Sequence, residues 1–285
     1  MELKHIALRD GRLSSFLREE MKMSAGLVNR LKWQEKIFVN GIAQHNDYTV
    51  QPGDVITAAL DEPAPEYPAE EGPLTVLYED EHILAVDKPA GMLIHPSRAT
   101  MTGTLANRVV AHYQKTGQCC AFHPVTRLDR DTFGIVLVAK NAHVHALMQQ
   151  AQLQKTYHAP VCGVPEQPEG IIDAPIARRP LPSLLRYVNQ EGKPSVTRYR
   201  VLESREGISL LALQPVTGRT HQLRVHCAHM GWPILGDPQY NHEESRLLSE
   251  KLGCKTQLLC AKRLEFVHPI TGEEMRLESH QNAGW

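Results

Sequence analysis

Residues Arg127-Leu128-Asp129-Arg130-Asp131 crowd two carboxylates and two guanidiniums against the apolar run Ile135–Ala139. A carboxylate in a turn that feeds a buried strand is placed precisely and can still face a cleft. Neighbouring cations hold it ionised, the form that attacks an electrophile or takes a proton. Charge clusters at turns also make ordinary surface salt bridges, and spacing alone leaves both readings open for Asp129. A second stretch, PVTGRTHQLRVHCAHMGWPILGD at 215–237, carries Arg219 and Arg224, whose forked donors suit phosphate or carboxylate. Its histidines, His221, His226 and His229, match no zinc spacing, so no metal is expected. In QLQKTYHAPVCG at 152–163, Tyr157, Ala159, Val161 and Gly163 alternate on one side of a strand. The Tyr157 ring then either fills a core or stacks on a nucleobase. A fourth stretch, EDEHILAVDKPAGMLIHP at 79–96, lacks the GxxxxGK phosphate-loop pattern and reads as a structural hairpin or loop.

These side chains need a scaffold, and 285 residues suffice for one large domain, or one large and one small. A hydrophobic content of 42% with a net charge of −1 excludes a disordered chain and shows no global basic signature. Any nucleic-acid contact must come from local patches. Six cysteines without a CxxC pair predict a reducing, cytoplasmic compartment. The opening MELKHIALRDGRL has no apolar core, so no signal peptide is expected. No run approaches the ~18 apolar residues of a membrane span.

Residues 1–60 read as a small module. Leu13 to Met23 carries Phe16, Leu17 and Met21 on one helical face, and Ser24 caps a second helix with Leu27, Leu31 and Trp33. IFVNGIA puts Asn40-Gly41 in a hairpin turn, QPGD makes another turn, and VITAAL is a closing strand. Arg18, Lys22, Arg30 and Lys32 are expected on one basic face, either simply solvated or binding RNA. DEPAPEYPAEEGP at 61–73, with four prolines and five acids, offers almost nothing to pack and reads as a stiff linker. From 74 to 285 strand patterns dominate without regular helix alternation, which predicts an α+β domain with a mixed or antiparallel sheet. The charge divides as +1 over 1–60, −5 over the linker and +3 over the remainder.

Taken in order, VDKPAGMLIHP, RLDRDTFG, KTYHAPVCG, TGRTHQLRVH with GWPILGD, and LLCAKRLEFVHP make residues 74–270 resemble the RluA-type pseudouridine synthases. The module at 1–60 resembles an S4 RNA-binding domain through its two helices, IFVNG and QPGD. The resemblance implies a pseudouridine synthase core that isomerises uridine in structured RNA, ribosomal RNA before transfer RNA, as a monomer without a cofactor. It places the family's aspartate at Asp129, as nucleophile or as the base that starts glycal formation. The pairing arginine falls on Arg224 and the tyrosine that stacks on the flipped base on Tyr157. Arg127 would fill the gap left by that base, and Leu258 or, preferred, Leu259 would line the pocket. Arg219 joins the RNA contacts. Two positions depart from the family pattern: Thr126 stands where a histidine is common, and Phe133 where a serine is usual. Phe133 puts substrate preference in question and motivates an alternative, an inactive RNA-binding or ribosome-assembly protein.

Overall fold

The computed structural model describes residues 2–60, 67–97 and 99–284. Residues 2–60 build a four-stranded antiparallel sheet in the order Glu2–Ile6, Val55–Ala59, Ile37–Val39, Ile42–Ala43. Leu13, Phe16, Leu17, Leu31, Ile37 and Ile56 close its own core. Ser24 caps the helix Ala25–Trp33 by accepting from the Leu27 N–H at 3.1 Å. Asn40 and Gly41 both lie at positive φ, 50° and 80°, as a two-residue hairpin turn demands. The Asn40 side chain then donates to Asp54 and accepts from the Val55 N–H, tying that turn to QPGD.

Two expectations for this module change. Leu13 to Met23 is not one α-helix: Leu13–Ser15 runs into a π-helical turn, Phe16–Glu20, and Lys22 ends it at φ 52°. Arg18, Lys22, Arg30 and Lys32 are all exposed, but they do not share one face. Two residues apart on a helix means a separation of about 200°, so Arg30 and Lys32 leave on opposite flanks of the buried Val28 and Leu31. Arg18 folds back to donate to the Met23 carbonyl.

The first half of the predicted linker, 61–66, lies outside the described residues. The second half is packed. Tyr67 rests on the cluster of Phe122 and Ile94. Asn107 Nδ2 donates to the Pro68 carbonyl at 2.9 Å, and Arg108 pairs with Glu70 at 3.0 Å. One aromatic ring and one anchored acid are enough to dock this segment, because the helix Leu105–Lys115 beside it supplies the complementary groups.

Among the described residues the main sheet has ten strands. Its path runs Glu169–Asp173, Val196–Arg205, Ile208–Pro215, Gln154–Cys162, Cys260–Val267, Phe133–Ala139, Ile83–Lys88, Val76–Glu79, with Glu274–Glu278 on Cys260–Val267 and His123–Pro124 on Phe133–Ala139. Every pairing is antiparallel except one short parallel join, Phe133 to Cys260 and Gly134 to Ala261. The architecture is therefore α+β with a mixed sheet. Strand Phe133–Ala139 is buried on both faces, which accounts for its unbroken apolar run. Val136 and Val138 pack with Val109 and Tyr113 of helix Leu105–Lys115, while Ile135 and Leu137 pack with Val144 and Met148 of helix Ala142–Gln150. Across the join, Ala159, Val161, Leu211 and Leu213 pack with Leu223 and Cys227 of helix Gln222–His229. Among the described residues no helix is long and apolar enough to cross a membrane.

Gly134 makes the join possible. It sits at φ 104°, and a Cβ there would stand 2.4 Å from the Ala261 carbonyl oxygen. Gly134→Ala is expected to lower unfolding stability by at least ~2 kcal/mol. Gly26→Ala, on an open helix surface with nothing within 4 Å, should be neutral or stabilising. Urea denaturation of both variants checks this contrast.

Away from the join, the Lys140 ammonium donates to Glu79 at 2.8 Å and to Gln118 at 2.7 Å, and His112 Nε2 meets Glu79 at 2.7 Å. Burial opposes ionisation of Glu79, but the hydrogen bonds from Lys140, Gln118 and His112 hold its carboxyl down to about 2. A carboxyl with a lowered folded-state pKa stabilises above its unfolded value of 4.5 and loses that contribution as pH falls toward 2. Between pH 5 and 2.5 the wild type should lose stability more steeply than Glu79→Gln. Equal pH slopes in urea titrations would contradict this.

Candidate active site

The acidic turn is held at both ends. Val125 N–H donates to the Leu137 carbonyl at 2.8 Å, and Thr126 Oγ1 accepts from the Leu137 N–H at 2.9 Å. Thr126 is thus a structural brace. At the far end Phe133 N–H donates to the Leu259 carbonyl at 3.1 Å. Beneath the turn, the buried Lys88 ammonium donates to the Arg130, Pro89 and Met92 carbonyls, each at 2.9 Å. Burial pushes Lys88 down to about 8, against the opposing pull of Asp131 and Asp129.

Asp129 stands out from this turn with its side chain 33% exposed. Its cationic partner is neither of its chain neighbours, Arg127 and Arg130, but the arginine that the resemblance implies. Arg130 pairs with its neighbour Asp131 at 3.2 Å, and Arg127 is exposed. Arg224 Nη1 instead reaches Asp129 Oδ2 at 3.2 Å. Arg224 lies on helix Gln222–His229 and is 4% exposed. Asp237 grips it from behind, through Nε at 2.7 Å and Nη2 at 2.8 Å, and Gln239 accepts a further bond at 2.9 Å. The Tyr240 ring lies 5.0 Å from its guanidinium carbon. Burial works against the Arg224 charge, but Asp237 and then Asp129 raise its pKa.

Two neighbours of this pair carried no such role in the sequence reading. Asp237 was only the last letter of GWPILGD. In the sequence, His221 bears by its spacing only on metal ligation. Its Nε2 lies 3.7 Å from Asp129 Oδ2, and its Nδ1 lies 2.8 Å from the Tyr240 hydroxyl. That hydroxyl also accepts the Arg186 N–H at 2.9 Å. Burial lowers the His221 pKa although Asp129 opposes it. His221 also takes a left-handed conformation, φ 57°, at the residue before the helix. His226 faces elsewhere, between Thr197 Oγ1 and the Ala174 carbonyl, both at 2.9 Å. Gln222 fixes the start of the helix by donating to the Val196 carbonyl and accepting from Thr217 Oγ1 and the Arg219 N–H.

Tyr157 comes from strand Gln154–Cys162, opposite Leu213 and Ala261. It packs partly buried in one cluster with Leu259 and Leu223. Burial, reinforced by the charge of Asp129, raises its phenol pKa. Leu259 lines the cleft, whereas Leu258 turns away to pack on Phe133, Cys260 and Ala283. Phe133 is only 7% exposed and is not part of the cleft wall. It is a core residue beneath the site, and its ring does not itself line the substrate path.

Asp129, Tyr157, Arg224, Leu259, Arg127 and Arg219 all line one open cleft of about 1410 Å³. Arg18, Lys22, Arg30 and Lys32 do not. Among its described lining residues are five Lys or Arg side chains and a single acid, Asp129. Small-molecule pockets run to ~300–1,000 Å³. A larger, cationic groove with one carboxylate suits a polyanionic substrate.

Residues 82–229 match the family model described as RNA pseudouridylate synthase. The chain is 38% identical over 247 residues to the uncharacterized RNA pseudouridine synthase YjbO of Bacillus subtilis, covering 85% of each. It is 36% identical over 256 residues to the ribosomal large subunit pseudouridine synthase D of Pseudomonas aeruginosa, covering 86% of this chain and 80% of that one. The structure called human RNA pseudouridylate synthase domain containing 1 superposes with a TM-score of 0.60 at 25% identity, covering 74% of this chain and 86% of that one. With its motifs in order and a carboxylate at the floor of a cationic cleft, the chain belongs to the RNA pseudouridylate synthase family and is an isomerase that acts on RNA.

Proposed function

We propose that this enzyme converts uridine to pseudouridine in the RNA of the large ribosomal subunit, with Asp129 as the group that opens the glycosidic bond. The carrying observation is the Asp129–Arg224–Asp237 chain. Its buried end immobilises the guanidinium, and its open end holds the Asp129 carboxylate in one direction in the cleft. The reaction breaks the bond from C1′ to N1, turns the base, and forms the bond from C1′ to C5. N1 gains a proton and C5 loses one, so atoms and electrons balance within the nucleoside. Asp129 serves either as nucleophile at C1′ or as base at C2′, and both routes need the ionised form.

A stacked uridine is out of reach of the floor, so it must be flipped out at a cost of a few kcal/mol. The exposed Arg127 at the cleft offsets part of that cost by occupying the gap. Tyr157, backed by Leu259, receives the flipped base against its ring, and its raised pKa keeps the phenol protonated. Arg219 contacts phosphate. The S4-like module at 2–60 adds RNA contacts from Arg18, Lys22, Arg30 and Lys32, made on separate faces. The ribosomal target draws on the names of relatives such as ribosomal large subunit pseudouridine synthase D. The reading as an inactive RNA-binding protein leaned on Phe133, which packs away from the cleft.

Pseudouridine mapping in a strain lacking the gene is expected to show a lost site in large-subunit ribosomal RNA, restored by the wild-type gene and not by Asp129→Asn. Loss of a transfer RNA site instead would reassign the substrate. Restoration by Asp129→Asn would remove that residue from the chemistry. Asp237→Asn touches no substrate in this reading. It should cut kcat about 10- to 100-fold with little change in KM, measured by tritium release from RNA carrying 5-tritiated uridine. A change confined to KM would contradict its role in orienting Arg224.

A further inference from the structure

The cleft has a second wall that the reaction does not use. It is made of rings: Tyr67, His95, Phe122, His123 and His145. Phe122 is buried and forms its base. His95 meets it edge-on at 5.5 Å and Tyr67 edge-on at 6.2 Å. The Tyr67 hydroxyl lies 3.3 Å from His95 Nδ1. His123 and His145 stack at 5.5 Å with their planes 25° apart. Apart from Phe122 these rings are half-buried, so their remaining surface faces the cleft rather than the core.

The wall is not the target-base pocket. His123 pairs opposite Ala139, and Thr126 is bonded to Leu137. The chain reaches Asp129 only on its way back toward Phe133, at the other end of that strand. This places the wall on the order of 10–15 Å along the strand from the reacting carboxylate. Arg127, a phosphate-binding side chain by type, stands between the two in sequence. Flat ring surfaces in a cleft that also holds guanidinium groups are the chemistry that receives an unpaired nucleobase.

Tyr67 is the informative member, because it comes from the segment between the two folded units. Glu70 anchors that segment by pairing with Arg108 at 3.0 Å and accepting the Gly103 N–H at 2.5 Å. Residues 67–70 are therefore docked so that Tyr67 completes the cleft wall. Seven peptide links separate Leu60 from Tyr67, so an RNA strand passing the wall is within about 25 Å of the 2–60 module.

We propose that Tyr67, His95, His123 and His145, on the base of Phe122, form a second stacking site that holds an unpaired nucleobase neighbouring the target uridine. This rests on the reading of the cleft as the RNA site. The test uses the full-length protein and two probes, a fluorescent ten-residue oligouridylate for binding and RNA with 5-tritiated uridine for activity. Tyr67→Ala and His145→Ala should each weaken oligouridylate binding about tenfold, raising KM while leaving kcat near wild type. Tyr67→Phe keeps the ring and should bind within about twofold of wild type. A ten-residue strand of abasic ribose phosphate should bind all four proteins alike. Wild-type binding by both alanine variants would overturn the proposal, as would equal losses on the oligouridylate and the abasic strand. Absence of tritium release by the wild type would instead overturn the activity reading, and the oligouridylate comparison would still decide the stacking site. Should Tyr67→Ala fail to fold by circular dichroism, His145→Ala, on a helix where alanine is favourable, decides alone.

Discussion

One guanidinium serves two carboxylates in different surroundings, and the site depends on it. Asp237 is wholly buried, and a buried carboxylate must be paired and hydrogen-bonded to stay charged. It receives two bonds from Arg224 and two from the backbone N–H groups of Gln239 and Tyr240. This leaves Arg224 a single direction in which to offer its last nitrogen, and Asp129 lies there. Buried ion pairs contribute little net stability against apolar replacements, so the arrangement is better understood as orientation. The guanidinium cannot swing, and the half-buried Asp129 carboxylate meets it from one direction.

That geometry requires helix Gln222–His229 and the turn before Phe133–Ala139 to meet, although they belong to opposite halves of the sheet. The halves are joined by a parallel contact of only two register pairs, where Gly134 passes too close to Ala261 for any side chain. The same crossing puts Leu259 beside the turn, since its carbonyl accepts the Phe133 N–H. Catalytic and pocket residues therefore converge at the weakest-paired part of the sheet, where backbone packing does the joining and a cleft opens above it.

Much of this was legible in the chain. Asn40-Gly41, the Ser24 cap and the doubly buried run Ile135–Ala139 follow from rules spanning a few residues, and the α+β class follows from their order. The motif series points to Asp129, Tyr157, Arg224 and Leu259. Errors arose where a local pattern was carried past its reach. Alternating charges suggested that Arg127 and Arg130 hold Asp129, yet Arg130 is satisfied by Asp131. Four cations in two short helical stretches suggested one face, yet Arg30 and Lys32 diverge. A proline- and acid-rich composition concealed the docking of Tyr67 and Glu70.

By itself, then, the sequence determined the backbone grammar, the family and the kinds of side chain available for chemistry. These are written in windows of a few residues, where propensity, capping and turn geometry act. Only the tertiary structure decided that Asp237 stands behind Arg224, that His221 faces Asp129, that Leu258 turns away from the cleft, and that Phe133 lies beneath it. The Asp129–Arg224 contact joins residues 95 apart. Its existence depends on how two sheet halves pack, and no local preference carries that information.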